Sequence, residues 1–341
     1  MSEALIGLVG CGRIGRSLVR LLARHERLRL AVIEEPADPE AVEYLLRFDT
    51  LLGRFPGALS RSAEGLEIVG RQVRLVVPRN GEPPAWGELG ISMVVEASGR
   101  ERSRAELERH LAAGAERVVL CSPLAERPDF TWVAGVSDRG LRPEHRVISM
   151  GSVTANAAGP LLGLLAREFG VERAFLSTVH AYTSQLRLAD VPAADMRTGR
   201  AAAENIIPHS TNADEVLSDL LPELAGKISG VALHVPVPNG SLVDLTCWHP
   251  RAVTVEELNG AVLRACTAEL AGVLAFENQP IVSSDILQTT YSGVFDSLST
   301  MIVRERVSKT LTFYDNAWGY ANRVVDLLER LLGLAAGEAD R

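Results

Sequence analysis

Residues 5–15 read Leu-Ile-Gly-Leu-Val-Gly-Cys-Gly-Arg-Ile-Gly, and this stretch decides the fold of the N-terminal half. The apolar run at 5–9 predicts a buried strand, and the apolar positions that recur through 14–23 predict an amphipathic helix. Between them, three glycines in Gly-x-Gly-x-x-Gly spacing allow a tight turn and let backbone N–H groups approach a pyrophosphate at the helix N-terminus. Strand, glycines and helix in this order predict a dinucleotide site. A strand-to-helix turn without a ligand is the simpler alternative.

An acidic pair follows the next predicted strand, at 28–33. Glu35 lies 20 residues beyond Gly15. A carboxylate there accepts hydrogen bonds from a ribose 2′-hydroxyl and repels a 2′-phosphate, which favours NAD over NADP. Glu34 beside it is expected to strengthen the repulsion.

The pattern of apolar runs changes near residue 150. Before it, short runs alternate with a helical pattern, the rhythm of βαβ units in a doubly wound parallel sheet. The predicted elements there are further strands at 74–77, 93–96, 118–120 and 147–149 and a helix at 104–113. After it, the runs are longer and predict an α+β domain with a largely antiparallel sheet. Its predicted elements are strands at 174–180, 231–236 and 242–248 and helices near 159–169, 255–268 and 318–332.

Length and composition fit a two-domain globular protein. The chain has 341 residues, of which 47% are hydrophobic and 23% charged, and a net charge of −8. These values are near the average for soluble proteins, and the negative charge argues against nucleic acid or an anionic membrane as a partner. No apolar run approaches the roughly 20 residues of a membrane span and no basic leader precedes the first strand, so we expect a cytoplasmic protein. The four cysteines lack metal-ligand spacing, which predicts free, buried thiols and no metal.

Several segments carry a resemblance to one family. Residues 149–157 read Ser-Met-Gly-Ser-Val-Thr-Ala-Asn-Ala and resemble the glyceraldehyde-3-phosphate dehydrogenase family, whose members read about Ser-Asn-Ala-Ser-Cys-Thr-Thr-Asn-Cys. Other matching segments are Glu-Ala-Ser-Gly at 96–99, Thr-Val-His-Ala-Tyr-Thr at 178–183, Ala-Ala-Glu-Asn-Ile-Ile-Pro at 202–208, Pro-Asn-Gly-Ser-Leu-Val-Asp-Leu-Thr at 238–246 and Tyr-Asp-Asn-Ala-Trp-Gly-Tyr at 314–320.

The resemblance implies an α/β protein in two domains, with NAD as cofactor. Residues 1–150 would form a Rossmann NAD-binding domain, completed by a C-terminal helix over 316–335, and 151–315 an α+β catalytic-type domain. In the family, the asparagine that matches Asn316 fixes the nicotinamide carboxamide. The cofactor residues predicted from the glycine motif and the resemblance together are Gly10, Gly12, Arg13, Ile14, Gly15, Glu35, Arg79, Ser98, Gly99, Ser122, Asn316 and Tyr320.

The resemblance also places Val153 where the family has its nucleophilic cysteine. The matching histidine, His180, raises thiolate character in the family and then moves protons, and its unperturbed pKa suits a general base. A core histidine with satisfied hydrogen bonds is the alternative. Ser152 and Thr154 flank Val153, but an alcohol needs an aligned base to become a nucleophile, so covalent catalysis by either is not expected.

The anion-binding positions differ from the family as well. His234 and Thr198 match the positions of two arginines that hold phosphate groups, and two lost charge-assisted hydrogen bonds amount to about 3–6 kcal/mol. A neutral polar lining suits hydroxyls or amides better than dianions, although surface hydroxyls without a ligand are an alternative. The candidate pocket residues are Ser152, Thr154, Thr183, Gln185, Thr198, Thr211, Asn212 and His234. Arg187, Arg197 and Arg200 are candidates for replacement charge, and Arg200 is expected to begin a helix.

Two functions are consistent with these residues. The first is an NAD-dependent oxidoreductase for a small-molecule substrate that forms no thiohemiacetal and uses His180 as general base. The second is a non-catalytic NAD-binding protein acting as a sensor, scaffold or partner subunit. By resemblance we expect a homotetramer in which 182–205 packs near a neighbour's cofactor.

Overall fold

A computed structural model describes residues 3–78, 81–100, 102–124 and 126–335. The chain divides into two compact units. The first runs to Trp132, resumes over Asp138–Gly151 and includes the chain from Ala321, whereas the second comprises Val133–Ser137 and Ser152–Tyr320.

The first unit is built on strands separated by short helices. Its elements are β1 (Ala4–Val9), α1 (Arg13–Leu22), β2 (Leu28–Glu34), α2 (Pro39–Arg47), β3 (Phe48–Asp49), β4 (Gly53–Arg54), β5 (Leu59–Ser62), β6 (Gly65–Ile68), β7 (Arg71–Val76), β8 (Met93–Glu96), α3 (Arg104–Ala112), β9 (Arg117–Leu120), β10 (Phe130–Thr131) and β11 (Val147–Ser149), with a 3₁₀ turn at Asp138–Gly140.

A nine-stranded sheet organises this unit, in the order β10-β11-β9-β8-β1-β2-β7-β6-β5. Pairing is parallel from β10 to β7, and only the β7-β6-β5 edge is antiparallel. From β1 the chain goes to β2 on one side and reaches β8 on the other. The carboxyl ends of β1 and β8 therefore flank a topological switch point, where open α/β sheets bind their ligands.

A buried polar pair fastens α3 to the segment before β8. Trp86 is fully buried, and its indole Nε1 donates a hydrogen bond of 3.0 Å to Nδ1 of His110, whose exposure is 7%. α3 begins with a capping box between Ser103 and Glu106, in which each side chain bonds the other residue's backbone N–H. These contacts fix the helix over the edge of the sheet where β8 ends.

The second unit has longer strands and a single layer of helices. Its elements are α4 (Val153–Phe169), β12 (Arg173–Ala181), β13 (Ile207–His209), α5 (Ala213–Leu220), β14 (Ile228–Val235), β15 (Ser241–Trp248), α6 (Val255–Cys266), β16 (Leu274–Glu277), β17 (Gly293–Val303), β18 (Val307–Tyr314) and the start of α7 (Trp318–Ala335), with a 3₁₀ turn at Pro222–Leu224.

Its seven-stranded sheet has the order β13-β14-β12-β15-β18-β17-β16. Only β12-β14 and β16-β17 are parallel, so the predicted largely antiparallel sheet is confirmed. One face packs on α4, α5 and α6 around a core that includes Leu162, Leu176 and Phe295.

The predicted elements match the structure closely, and the α/β fold class is confirmed. The largest difference in a predicted helix is at α4, which begins at Val153 rather than near 159 because Ser152 caps it. Arg200 does not begin a helix, since residues 182–206 contain only an isolated bridge between Arg187 and Ala201. The elements that were not predicted are the two long strands β17 and β18, the short strands β3, β4, β5, β6, β10, β13 and β16, and helices α2 and α5. Within the described residues, no helix is long and apolar enough to cross a membrane.

Candidate active site and cofactor site

The glycine turn after β1 is fixed by sterics at two of its three glycines. Gly10 has φ +89°, and a Cβ there would lie 2.4 Å from Cα of Ser98. A Cβ on Gly15 would lie 2.2 Å from the Gly10 carbonyl oxygen. By contrast, a Cβ on Gly12 would meet no described atom within 4 Å, and Gly12 caps α1 without a side-chain hydrogen bond. The open position at the start of α1 suits an approaching pyrophosphate.

Arg13 and Ile14 form the first turn of α1, and both are partly exposed. Glu35 lies directly after β2, and its carboxylate accepts hydrogen bonds from the backbone N–H of Cys11 at 2.6 Å and of Ala37 at 3.2 Å. Glu35 therefore ties the end of β2 to the glycine turn, which is where a ribose carboxylate is required.

Glu34 differs from its expected role. It is 8% exposed, and burial, followed by the nearby Glu96 carboxylate, raises its pKa to about 7. A side chain with this pKa is only about half ionised at neutral pH and contributes less negative charge than an ordinary carboxylate. The repulsion of a 2′-phosphate therefore rests mainly on Glu35.

The other predicted cofactor residues of the first unit lie at strand ends. Ser98 and Gly99 follow β8; the Ser98 N–H donates to the buried Glu96 carboxylate at 2.8 Å, and Gly99 is exposed with φ +71°. Ser122 follows β9 and accepts a hydrogen bond at its carbonyl from the Ser149 hydroxyl at 2.8 Å. Arg79 lies outside the described residues.

Val153 occupies the first position of α4 and is partly buried against the core of the second unit. Ser152 is the N-cap, and its hydroxyl accepts a hydrogen bond of 3.0 Å from the backbone N–H of Ala155. Val153 therefore sits where the helix dipole would favour negative charge, but its isopropyl group carries no nucleophile.

Thr154 lies inside the protein rather than lining an anion pocket. It is 5% exposed, and its hydroxyl is 3.1 Å from the hydroxyl of Tyr314, which is also 2.7 Å from the Thr178 hydroxyl. The three hydroxyls join the start of α4 to β12 and β18. Because Thr154 is committed to this network, its predicted anion role is not supported by its placement.

His180 lies at the carboxyl end of β12, with its ring centroid 6.1 Å from that of Tyr314. Its Nδ1 is 2.6 Å from the carbonyl oxygen of Ala181. Since a carbonyl only accepts, Nδ1 carries the hydrogen in the neutral ring, and the lone pair is on Nε2. This tautomer is the one that a general base at Nε2 requires.

Asn316 lies beside this ring. Its side-chain oxygen accepts from the Ser241 hydroxyl at 2.8 Å, and its side-chain nitrogen is 3.3 Å from Nε2 of His180. The backbone N–H of Asn316 donates to Asn239, whose amide donates in turn to Asp315. Tyr320, on α7, is 2% exposed and lies in the interior.

Three imidazoles form a row across adjacent strands. His180 on β12 is the register partner of His234 on β14, and their ring centroids are 5.0 Å apart. His209 on β13 is 5.6 Å from His234. Burial lowers the pKa of His234 below its usual 6.5, and His209 acts in the same direction, while a hydrogen bond to the Ala181 backbone opposes them. At neutral pH the His234 ring is therefore uncharged.

The other proposed pocket residues lie in exposed or local arrangements. The hydroxyl of Thr198 donates to the Asp195 carbonyl at 3.1 Å, within its own loop. Arg200 forms an exposed ion pair with Asp190 at 2.9 Å. Thr183 and Thr211 are partly exposed, and Gln185, Asn212, Arg187 and Arg197 are exposed.

None of the four thiols has the lowered pKa of an activated nucleophile. All four cysteines are free, as predicted, and burial raises the pKa of each, to about 12 at Cys11 and Cys247 and about 11 at Cys266. Cys247 pairs in register with Ala174, six residues along β12 from His180. At 3.3 Å per residue this separation is about 20 Å.

Sequence reasoning missed Tyr314 and His209 as parts of the site. Tyr314 opens the segment Tyr-Asp-Asn-Ala-Trp-Gly-Tyr that pointed to Asn316, and that proximity was the available signal. The position of His209 beside His234 depends on strand register, which no local sequence pattern predicts. Among the described residues, no cluster of histidine, cysteine or acidic side chains could hold a metal ion.

The glycine turn, the switch point and the acidic end of β2 define an NAD-binding oxidoreductase fold, with a catalytic-type second domain that carries His180. Comparison with known proteins agrees. Residues 4–104 match the NAD binding domain of glyceraldehyde 3-phosphate dehydrogenase, and residues 152–316 match its C-terminal domain.

Curated relatives match over most of their length. The chain is 39% identical over 323 residues to the glyceraldehyde-3-phosphate dehydrogenase of Geobacillus stearothermophilus, covering 94% of this chain and 96% of that one. It is also 39% identical over 324 residues to glyceraldehyde-3-phosphate dehydrogenase 2 of Streptomyces avermitilis, with coverage of 94% and 96%. The chain belongs to the glyceraldehyde-3-phosphate dehydrogenase family, and its cofactor is NAD.

Proposed function

We propose that this protein is an NAD-dependent oxidoreductase that oxidises a hydroxyl or aldehyde hydrate without a covalent intermediate, using Nε2 of His180 as general base. The observation that carries the proposal is the paired geometry at this site. Nδ1 of His180 is held by the Ala181 carbonyl at 2.6 Å, whereas the start of the neighbouring helix α4 carries Val153 in place of a thiol.

Each residue of the site has a definable task in such a reaction. NAD, when bound, accepts the hydride. Nε2 of His180 takes the proton from the substrate hydroxyl, and the Ala181 carbonyl stabilises the imidazolium that forms. The N-terminus of α4, with its first N–H groups ahead of the helical hydrogen bonds, favours developing negative charge on a substrate oxygen. Asn316, held by Ser241 and Asn239, is positioned to bind a carboxamide beside His180.

The polar lining favours an uncharged, hydroxylated substrate over a phosphorylated aldehyde. His234 is neutral at neutral pH, Thr198 is engaged within its loop, and Arg200 is paired with Asp190. A phosphate dianion would therefore find little fixed positive charge among these candidates. Neutral imidazoles and hydroxyls bind sugar or polyol hydroxyl groups through ordinary hydrogen bonds.

A substrate screen tests the proposal. We would measure NAD reduction with polyols, sugars, hydroxy acids and aldehydes for the protein and for His180→Ala, with His145→Ala, in the first unit, as control. Loss of a general base lowers kcat by about 10²–10⁴. Turnover that survives His180→Ala would exclude the mechanism. Saturable NAD binding with no turnover of any substrate would favour the non-catalytic alternative, which Val153 and the four protonated thiols motivate.

Substitution at Val153 tests the absence of thiol chemistry. We expect the unaltered protein to oxidise glyceraldehyde 3-phosphate no faster than Val153→Ala, which removes the isopropyl group without adding a thiol. Val153→Cys is expected to react with iodoacetamide, whereas neither of the other two proteins should be modified at this position. Oxidation of glyceraldehyde 3-phosphate by the unaltered protein, at a rate that equals or exceeds that of a catalytically active Val153→Cys variant, would contradict the proposal.

We also propose a homotetramer in the cytoplasm, with neither nucleic acid nor membrane as partner. Support for assembly comes from the segment 182–206, where Leu188 is 85% exposed and Met196 is 88% exposed. Large apolar side chains exposed to this degree in one loop are typical of a surface that another subunit covers.

A further inference from the structure

A small cavity lies at the carboxyl edge of the first sheet. Its volume is about 180 Å³, and its lining comes from the segments after β2, β7 and β8 and from α3. The volume is about six times the ~30 Å³ that one water occupies in the liquid, which suits a bicyclic base rather than a whole dinucleotide. Three walls are proline rings, at Pro36, Pro78 and Pro83.

One carboxyl group in this cavity is unsatisfied. Glu34, the last residue of β2, lines the cavity at 8% exposure, and its Oε2 has no hydrogen-bond partner among the described residues. A buried polar atom without a partner costs about 1–3 kcal/mol, which calls for a ligand or other partner to bond it.

The groups facing Glu34 explain why its carboxyl is not simply ion-paired. Arg102 lies in the cavity wall, but its Nε is bonded to the nearly fully buried Glu96 carboxylate at 3.0 Å. Arg100, also in the wall, is exposed and attracts the Glu34 charge, whereas Glu96 and Glu35 repel it. The remaining ionisable groups of the lining are on α3 and are Glu106, Arg109 and His110.

We propose that Glu34, in its neutral form, reads the adenine of NAD by a two-point hydrogen bond, accepting from the N6 amino group and donating to N1. A carboxylic acid presents one acceptor and one O–H donor side by side, which matches this edge of adenine. An ionised carboxylate cannot donate to N1. Glu35, the next residue, is the ribose carboxylate, so the adenine of the same nucleoside belongs beside Glu34.

The lining supports a flat aromatic ligand. Proline rings offer apolar surface, and guanidinium planes such as that of Arg100 stack on nucleobases. The raised pKa of Glu34, about 7, keeps a large share of the carboxyl protonated at neutral pH, and adenine would favour that form further.

Titration calorimetry with two cofactors tests the proposal. We would titrate NAD and 1,N6-etheno-NAD, which lacks both hydrogen-bonding positions, at about pH 6 and pH 8.5. Two net hydrogen bonds correspond to about tenfold in affinity, so etheno-NAD should bind about tenfold more weakly at pH 6. NAD should lose about the same factor on going to pH 8.5. In buffers of different ionisation enthalpy, NAD binding near pH 7.5 should take up a fraction of a proton, because adenine favours the neutral acid.

Matched variants assign these effects to Glu34. Glu34→Gln keeps an acceptor and a donor, so it should discriminate between the cofactors at both pH values, with no proton uptake. Glu34→Ala should bind the two cofactors equally. Glu35→Gln should weaken NAD at both pH values and keep the proton uptake.

Three results would overturn the proposal. They are equal affinities of the unaltered protein for NAD and etheno-NAD, proton uptake that persists in Glu34→Gln, and absence of saturable NAD binding at pH 6. Circular dichroism of each variant separates these results from misfolding, and Glu34→Gln, being isosteric, provides the comparison if Glu34→Ala does not fold.

Discussion

Replacing His110 by glutamine should change how the stability of this protein depends on pH. His110 is 7% exposed, and its Nδ1 accepts the hydrogen bond from the buried Trp86 indole at 3.0 Å. A protonated ring would bear a hydrogen on Nδ1 and could not accept. Burial, with smaller contributions from Arg102 and Arg109, lowers the pKa of His110 from 6.5 to about 4.

The sign of the effect follows from these two pKa values. Between about pH 6.5 and pH 4, the unfolded chain binds a proton at His110 that the folded protein rejects. Stability from this group is therefore fully present above pH 6.5 and is lost as the pH falls toward 4. At 1.36 kcal/mol per pH unit, the loss is about 3 kcal/mol. Glutamine does not titrate, and its side-chain oxygen can still accept from Trp86.

Urea unfolding at several pH values measures the effect. Relative to the unaltered protein, His110→Gln should gain about 3 kcal/mol between about pH 7.5 and pH 4, because other titrating groups cancel in the difference. Phenylalanine at this position does not titrate either, but it leaves the indole N–H without an acceptor. The free energy of unfolding of His110→Phe should therefore be about 1–3 kcal/mol lower at pH 7.5. A difference between the unaltered protein and His110→Gln that is the same at both pH values would refute the reasoning.

Three further sets of substitutions have defined outcomes. Tyr314→Phe leaves two buried threonine hydroxyls without their partner and should cost about 1–3 kcal/mol in urea unfolding, whereas adding Thr178→Val should cost less than the sum of the two single changes. Gly10→Ala forces a Cβ to within 2.4 Å of a backbone atom at positive φ, so calorimetry should show NAD affinity lowered at least tenfold, and unchanged affinity would contradict the assigned turn. Leu188→Asp combined with Met196→Asp should reduce the mass measured by light scattering, and an unchanged mass would place the subunit contacts elsewhere.

The sequence patterns predicted six of the nine strands of the first sheet, all of them in its parallel part, because each of these signals is local. Glycines mark the end of β1 and the start of α1, and short apolar runs give the buried parallel strands. The sequence pattern did not predict the long strand β18, and the reason is physical. Its inward positions are Ser308, Thr310 and Thr312, all at most 1% exposed, so the buried face reads as polar and the usual alternation of hydrophobicity is absent.

The sequence predicted those site residues that lie in a recognisable motif of their own. His180 and Asn316 were identified from their own motifs, and the structure brings them within 3.3 Å of each other. The hydrogen-bond network of Tyr314 and the row from His180 to His209 depend instead on strand register across the second sheet. Likewise, the raised pKa of Glu34 comes first from burial and then from Glu96, which lies 62 residues away in the chain, and both are properties of the folded state.

The cysteines of this protein are poor targets for oxidants. With a pKa of about 11 at Cys266 and still higher values elsewhere, roughly one thiol in 10⁴ or fewer is ionised at pH 7, and only the thiolate reacts readily with peroxide or alkylating agents. A family member whose chemistry rests on an imidazole instead of a thiolate would keep working through an oxidative burst. Such a protein would still transfer hydride from its own substrate to NAD under oxidising conditions that inactivate a thiol-dependent relative.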